Sequence, residues 1–178
     1  MPTISVITCV LPRNSAWLGE AWRSLETQSL PRGWEWEWLV QVDGPEALHW
    51  SVPENDPRIS VERNDACRGP CVSRNMTLGR ARGDILKVLD ADDVLTSGQL
   101  AREVRVFTEF PDVGWVVSRC LDLLPGGLTV DHPVDLLEGP IPPGAVYDHW
   151  SAKLTLPVSP ATLAIRRSPA LTPVSYTH

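Results

Sequence analysis

A chain of 178 residues, 43% hydrophobic and 21% charged, is long enough to bury one sizeable core and too apolar to stay disordered. Its net charge is −6 and its 16 Lys and Arg residues are scattered, which argues against a nucleic-acid partner. Its apolar runs fall short of the roughly 20 residues of a membrane-spanning helix, and the N-terminus has no cleavable leader pattern, so the expected location is the cytoplasm, including the periphery of a membrane.

In chain order, the β-branched and apolar run Ile4 to Leu11 predicts a buried strand that ends at Pro12-Arg13-Asn14. Ser15 is placed to cap a helix whose apolar face carries Leu18, Ala21, Trp22 and Leu25. A second strand, about Trp34 to Val42, is stopped by Asp43-Gly44-Pro45, and a short third runs from Arg58 to Glu62. Pro70 opens a helix to about Ala81, and Ile85 to Leu89 is an apolar strand running into Asp90-Ala91-Asp92-Asp93. Thr96 and Gln99 have the spacing of a capping box for a helix bearing Leu100, Val104 and Phe107; Val113 to Ser118 reads as the next strand. Residues 123–158 read as long loops with one short element, and Ala161 to Ile165 as a last strand before Arg166-Arg167.

Alternating strands and helices imply a mostly parallel sheet covered on both faces, with ligands bound outside the carboxyl ends of the strands. Both Asp43 and the run Asp90 to Asp93 fall at such ends. Asp90, Asp92 and Asp93 would repel one another if all were ionised, so their crowding favours a bound cation or raised pKa values. A hard divalent ion held by one or two carboxylates and completed by a diphosphate satisfies that arrangement. The bland alternative is a solvated aspartate turn before a helix. The four cysteines, Cys9, Cys67, Cys71 and Cys120, lack metal-site spacing and read as thiols. Trp17, Trp22, Trp36 and Trp38, four of the eight tryptophans, read as core or half-buried packing. Trp150, beside His149, is the candidate for acceptor contact, and His149 itself reads as structural.

Ile4-Ser5-Val6-Ile7-Thr8, Ser24-Leu25-Glu26-Thr27-Gln28, Val42-Asp43-Gly44-Pro45, Ser73-Arg74-Asn75 with Arg82-Gly83-Asp84, and Leu89-Asp90-Ala91-Asp92-Asp93 follow one another in the order and spacing of a known signature. In these elements the chain resembles family 2 glycosyltransferases of the GT-A type, well over residues 3–120 and poorly beyond. The resemblance implies an α/β fold, a Rossmann-like three-layer sandwich with a mostly parallel sheet whose C-terminal part is incomplete. It further implies a nucleotide-sugar-binding core at 1–120 and a loop-rich, shortened acceptor-side region at 121–178. By it, Thr8, Cys9, Val10 and Asp43 line the nucleoside pocket, with Asp43 accepting from the imide of a uracil. Asp90, Ala91 and Asp92, an Asp-x-Asp pattern, belong to the nucleotide-sugar site, with Asp90 or Asp92 at the ribose; Asp92 or Asp93 meets Mn2+ or Mg2+; Arg74 and Asn75 support the pocket. The implied reaction is inverting, metal-dependent transfer from a nucleotide-diphosphate sugar, UDP-linked, to a saccharide, a lipid-linked saccharide or a protein.

Two departures accompany the resemblance. One of the paired aspartates common at the second strand's end is replaced, leaving Asp43 alone. No position matches the carboxylate base that such enzymes carry beyond the strand aligned with residues 161–167, so the chain is expected to bind donor and to lack the base as a fragment or shortened product. Asp131, Asp135, Glu138 and Asp148 are weak substitutes. The alternatives are a nucleotidyltransferase, disfavoured because Cys9 to Asn14 contains no glycine, and a non-catalytic binding or scaffold protein of the same fold.

Overall fold

The computed structural model describes residues 1–50, 52–53, 55–127, 129–131, 137, 139–142, 144–153 and 162–167. The first strand, β1 (Thr3–Val10), is the hub of the sheet. It pairs in parallel with β2 (Glu35–Val42) on one side and with β4 (Ile85–Val88) on the other. Beyond β2 lies β3 (Ile59–Arg63), also parallel, and beyond β4 lies β8 (Ala164–Arg166), antiparallel and flanked by β5 (Trp115–Val116). The order β3-β2-β1-β4-β8-β5 puts the reversal of chain progression beside β1, where open α/β sheets leave a crevice at their carboxyl edge.

Alternation along the strands feeds two cores. Ile4, Val6, Trp36, Trp38, Val40 and Ile85 face helices α1 (Leu18–Glu26) and α3 (Gln99–Glu109), which contribute Leu18, Ala21, Trp22, Leu25, Leu100, Val104 and Phe107. Ile7, Leu39 and Leu86 face the opposite way, toward Leu78 and Ala81 at the end of α2 (Pro70–Arg80). Trp22 stacks on Trp38 with centroids 6.0 Å apart and meets the edge of Trp36, and the Arg58 guanidinium, anchored by Asp56, lies 4.2 Å above the Trp36 ring. These rings are core, as their spacing predicts, whereas Trp17 is 53% exposed.

The α2 face is smaller and polar. Glu37 accepts from the Ser5 hydroxyl at 2.7 Å, the Arg82 amide at 3.0 Å and the Arg82 guanidinium at 2.7 Å, while the Gly83 amide donates back to Ser5 Oγ at 2.7 Å. A Cβ on Gly83 would stand 2.4 Å from the Ser5 nitrogen, so only glycine fits there. Asp84 then accepts from the Thr3 amide, which fastens the start of β4 to the start of β1. The triplet Arg82-Gly83-Asp84 therefore serves the sheet. On the other face, the Lys87 ammonium and Glu103 form a buried pair 2.8 Å long, with Gln99 donating to the same carboxylate oxygen.

Several local expectations change. Ser15 caps no helix: Pro12 starts a 3-10 segment, Pro12–Trp17, that runs straight into α1, and the Ser15 hydroxyl donates to the Pro12 carbonyl and accepts from the His49 amide. The Thr96–Gln99 box does not form, because Gln99 turns inward to Glu103 and Gly98, in the left-handed conformation, precedes the helix. β5 is shorter than Val113 to Ser118 because β8 offers partners only to Trp115 and Val116.

The described residues of 1–116 and 164–167 form one compact unit and those of 117–163 a second. Within the second, β6 (Leu121–Leu123) and β7 (Thr129–Asp131) pair antiparallel, and α4 (Ala145–Lys153) follows. This region was expected to be almost all loop; α4 buries none of its residues and so has no apolar stripe for a sequence pattern to expose. No described helix is long and apolar enough to cross a membrane.

Candidate donor-binding site

Asp43 is the first residue past β2 and is 4% exposed. Its Oδ1 accepts from Asn64 Nδ2 at 2.8 Å and the Arg68 amide at 2.7 Å; its Oδ2 accepts from the Gly69 amide at 2.9 Å and the Cys67 thiol at 3.4 Å. Burial pushes this carboxyl up, but the Arg68 amide, Asn64, Cys67 and the Gly69 amide together outweigh burial and hold it below the ordinary range. Asn64 is itself fixed, accepting from Gln41 and donating to Ser73, so a polar network joins β2, the segment after β3 and α2.

Across β1, the chain leaves β4 into a turn closed by the Asp93 amide donating to the Asp90 carbonyl. Asp90 is bound by Arg74 of α2 at 2.7 Å, both side chains about a third exposed. Asp92 is exposed, and Asp93 is raised by burial, then by the charges of Asp90 and Asp92. The segment after the turn is braced from behind by α1 and the residues just past it: Ser24 Oγ accepts from the Leu95 amide, and Gln28 donates to the Thr96 carbonyl and accepts from the Leu100 amide. The Ser24-to-Gln28 element thus acts by positioning the chain just after the acidic turn.

A cavity of about 260 Å³ opens between these parts, lined by Cys9, Val10, Leu11 and Asn14, by Asp43, Cys67, Gly69 and Pro70, and by Asp90, Ala91 and Asp92. The carboxylates from the ends of β2 and β4 share it. A second cavity of about 350 Å³ adjoins it through Leu11, Asp43 and Cys67 and extends along Pro12, Arg13 and His49. Among the described residues no three His, Cys, Asp or Glu side chains are grouped to hold an ion by themselves. The acidic turn fits a divalent cation in a different way: Asp93 resists ionising beside Asp90 and Asp92, a conflict that a cation shared with a diphosphate relieves.

Six of the sequence-expected residues, Cys9, Val10, Asp43, Asp90, Ala91 and Asp92, line this cavity. Thr8 lines neither cavity: it is fully buried, accepting from the Trp38 indole and donating to the Leu89 carbonyl. Arg74 reaches the site through Asp90, and Asn75 has a buried Oδ1 with no hydrogen-bond partner among the described residues. Burial raises the Cys9 thiol to about 11, which keeps it protonated and unreactive. Leu11, Asn14, Cys67, Gly69 and Pro70 are lining residues that the sequence reading missed; Cys67 had no signal beyond its distance from any metal-like partner. Of the weak base candidates, Asp131 ends β7 and Asp148 lies in the first turn of α4, while Asp135 and Glu138 lie outside the described residues.

The sequence pattern of glycosyl transferase family 2 matches residues 5–170. The chain belongs to this family. An uncharacterized glycosyltransferase of Methanocaldococcus jannaschii is 24% identical over 122 residues, covering 66% of this chain and 41% of the relative. The succinoglycan biosynthesis protein ExoO of Rhizobium meliloti is 38% identical over 63 residues, 35% of this chain and 18% of the relative. The chain thus spans less than half the length of either relative. Among solved structures, S. aureus TarS 1–349 in complex with UDP superposes with a TM-score of 0.60 at 20% identity, over 78% of this chain and 40% of that one. The mannosyltransferase PcManGT from Pyrobaculum calidifontis, in complex with GDP-Man and Mn2+, gives 0.54 at 22% identity, over 64% and 34%. The shared fold is the GT-A sandwich.

Proposed function

We propose that this chain is the donor-binding part of a glycosyltransferase that takes a sugar from a nucleotide-diphosphate sugar, UDP-linked, with Mn2+ or Mg2+, and passes it with inversion to a saccharide, lipid-linked saccharide or protein. The observation that carries the proposal is the single cavity shared by Asp43, Asp90 and Asp92, which come from two different strand ends. Family membership sets the reaction class, and neighbours that bind UDP or GDP-Man with Mn2+ support the donor type.

In this reading the cleft between Leu11 and Gly69 receives the nucleoside, with Asp43 at the base edge and Asp90, oriented by Arg74, at the ribose hydroxyls. Asp92 and Asp93 would hold the divalent ion, which when bound neutralises charge on the departing diphosphate. The Arg74 guanidinium holds Asp90 in the cavity wall. The N-terminus of α2, beginning at Pro70 in the cavity wall, adds a positive dipole end near the phosphates.

Calorimetry with UDP, GDP, CDP and ADP, with and without Mn2+, tests this. The expected result is Mn2+-dependent UDP binding that Asp92→Asn weakens at least about tenfold, in line with loss of a charged ligand. Nucleotide binding indifferent to both Mn2+ and Asp92→Asn would overturn the proposal.

A further inference from the structure

Asp43 has no open lone pair for a ligand. A carboxylate offers about four acceptor positions, and in Asp43 all four are taken: Asn64 and the Arg68 amide on Oδ1, the Gly69 amide and Cys67 on Oδ2. Three of these donors are set by the fold. Asn64 is 3% exposed and is locked by Gln41 and Ser73, and the other two are backbone amides of the segment entering α2. The fourth differs in kind: the Cys67 side chain is exposed, turns about a single χ1 bond, and is a weak donor at 3.4 Å. Cys67 also lines both adjoining cavities at the point where Asp43 faces them.

Resting on the nucleoside reading above, we infer that Cys67 is a specificity-determining residue: its thiol occupies the one exchangeable acceptor position of Asp43, and a donor is recognised when a base N–H displaces it. The ligand class is a base carrying a ring N–H between or beside carbonyls, as in the uracil imide or the guanine lactam. Cytosine and adenine carry no ring N–H, only an exocyclic amino group displaced from that position, so they do not replace the thiol in the same geometry. Exchanging a thiol for a ring N–H on a buried carboxylate replaces a weak bond by a strong charge-assisted one, which is the source of the discrimination. Because the thiol satisfies the carboxylate in the free protein, the buried charge never lacks a fourth partner.

The test is calorimetric titration of the full chain, its Cys67→Ala and Cys67→Ser variants and Asp43→Asn with UDP, GDP, CDP, ADP and N3-methyl-UDP in Mn2+, with thermal melts to verify folding. Deleting the competing thiol in Cys67→Ala should tighten UDP, or GDP if guanine is the base, by about three- to tenfold. CDP, ADP and N3-methyl-UDP should not respond, and Cys67→Ser, which keeps a competing donor, should not tighten any nucleotide. The UDP and GDP arms say which base is recognised. Unchanged or weakened UDP and GDP binding in Cys67→Ala, or equal tightening of all five nucleotides, would overturn the role of Cys67 while leaving the donor site standing, provided Asp43→Asn still loses UDP over N3-methyl-UDP discrimination. Absence of nucleotide binding to the wild-type chain and every variant would instead overturn the donor reading, and this inference with it.

Discussion

The Trp38 indole nitrogen donates to Thr8 Oγ1 at 2.9 Å, and Thr8 passes its own hydroxyl hydrogen to the Leu89 carbonyl at 2.7 Å. The middle of β2, the carboxyl end of β1 and the residue just past β4 are thereby tied together behind the residues that line the cavity. Trp38 and Thr8 are both fully buried, so the relay is shielded from water and each bond would be costly to leave unmade. The relay ends on the carbonyl just before Asp90, which couples the aromatic core to the acidic turn.

Trp38→Phe keeps an aromatic ring in the core and removes the indole donor. Urea denaturation should show a loss of about 2–4 kcal/mol, combining the smaller ring with the lost buried hydrogen bond. Thr8→Val, which removes both bonds to Thr8 with little change in shape, should cost about 1–3 kcal/mol.

Two glycines make a matched pair. Gly83→Ala drives a methyl group into the backbone nitrogen of Ser5 and should destabilise by at least about 1–3 kcal/mol, the usual result of forcing atoms into a filled site. Gly79→Ala, on α2 where an added Cβ meets nothing within 4 Å, should instead stabilise by about 0.5–1 kcal/mol. Chemical denaturation of the two variants side by side gives the signs directly.

With the metal role proposed for it, Asp93 would carry stability and function in opposite directions. Its carboxyl is raised by burial and by Asp90 and Asp92, so above its folded pKa the ionised form destabilises the metal-free protein. Asp93→Asn should therefore raise the urea midpoint at pH 7 in EDTA while weakening Mn2+-dependent nucleotide binding. A variant that lost stability in EDTA would contradict the crowding account.

Glu37 and Asp43 contribute to the acid limb, together with Asp56, which its hydrogen bond with Arg58 holds low. Burial opposes ionisation of Glu37, but Ser5 and Arg82 outweigh it, and all three carboxyls lie below their ordinary values. A carboxyl whose folded pKa is depressed stabilises fully above its unfolded value of about 4 and loses that contribution as pH falls through the folded value. The urea midpoint should therefore be insensitive to these three groups from pH 7 to about 5 and fall below about pH 4. Glu37→Gln should lower stability at pH 7 and flatten that acid limb.

Much of this protein was legible in advance because the signals were local. Apolar runs of β-branched residues, Pro70 at a helix start and aspartates at the ends of two strands gave the element order and put Asp43, Asp90 and Asp92 at the carboxyl edge. Local signals failed where a side chain found a better partner in the packed structure, far along the chain for Ser15 and within its own helix for Gln99. Ser15 has cap chemistry, but His49, 34 residues away, uses its hydroxyl; Gln99 has box spacing, but a buried Glu103 pulls it inward. Thr8, expected in the pocket wall, is turned to Trp38 and to Leu89, which is 81 residues on.

By itself, the amino-acid sequence determined the strand-and-helix alternation, the family and which carboxylates stand at strand ends, since periodicity and chain breakers act over a few residues. Only the tertiary structure decided how those carboxylates are satisfied: Asp43 by donors 21 to 26 residues away, and Asp90 by Arg74 across 16. Hydrogen-bond capacity is a local property of a side chain, but its partners are chosen by which segments packing brings together, and no spacing rule encodes that.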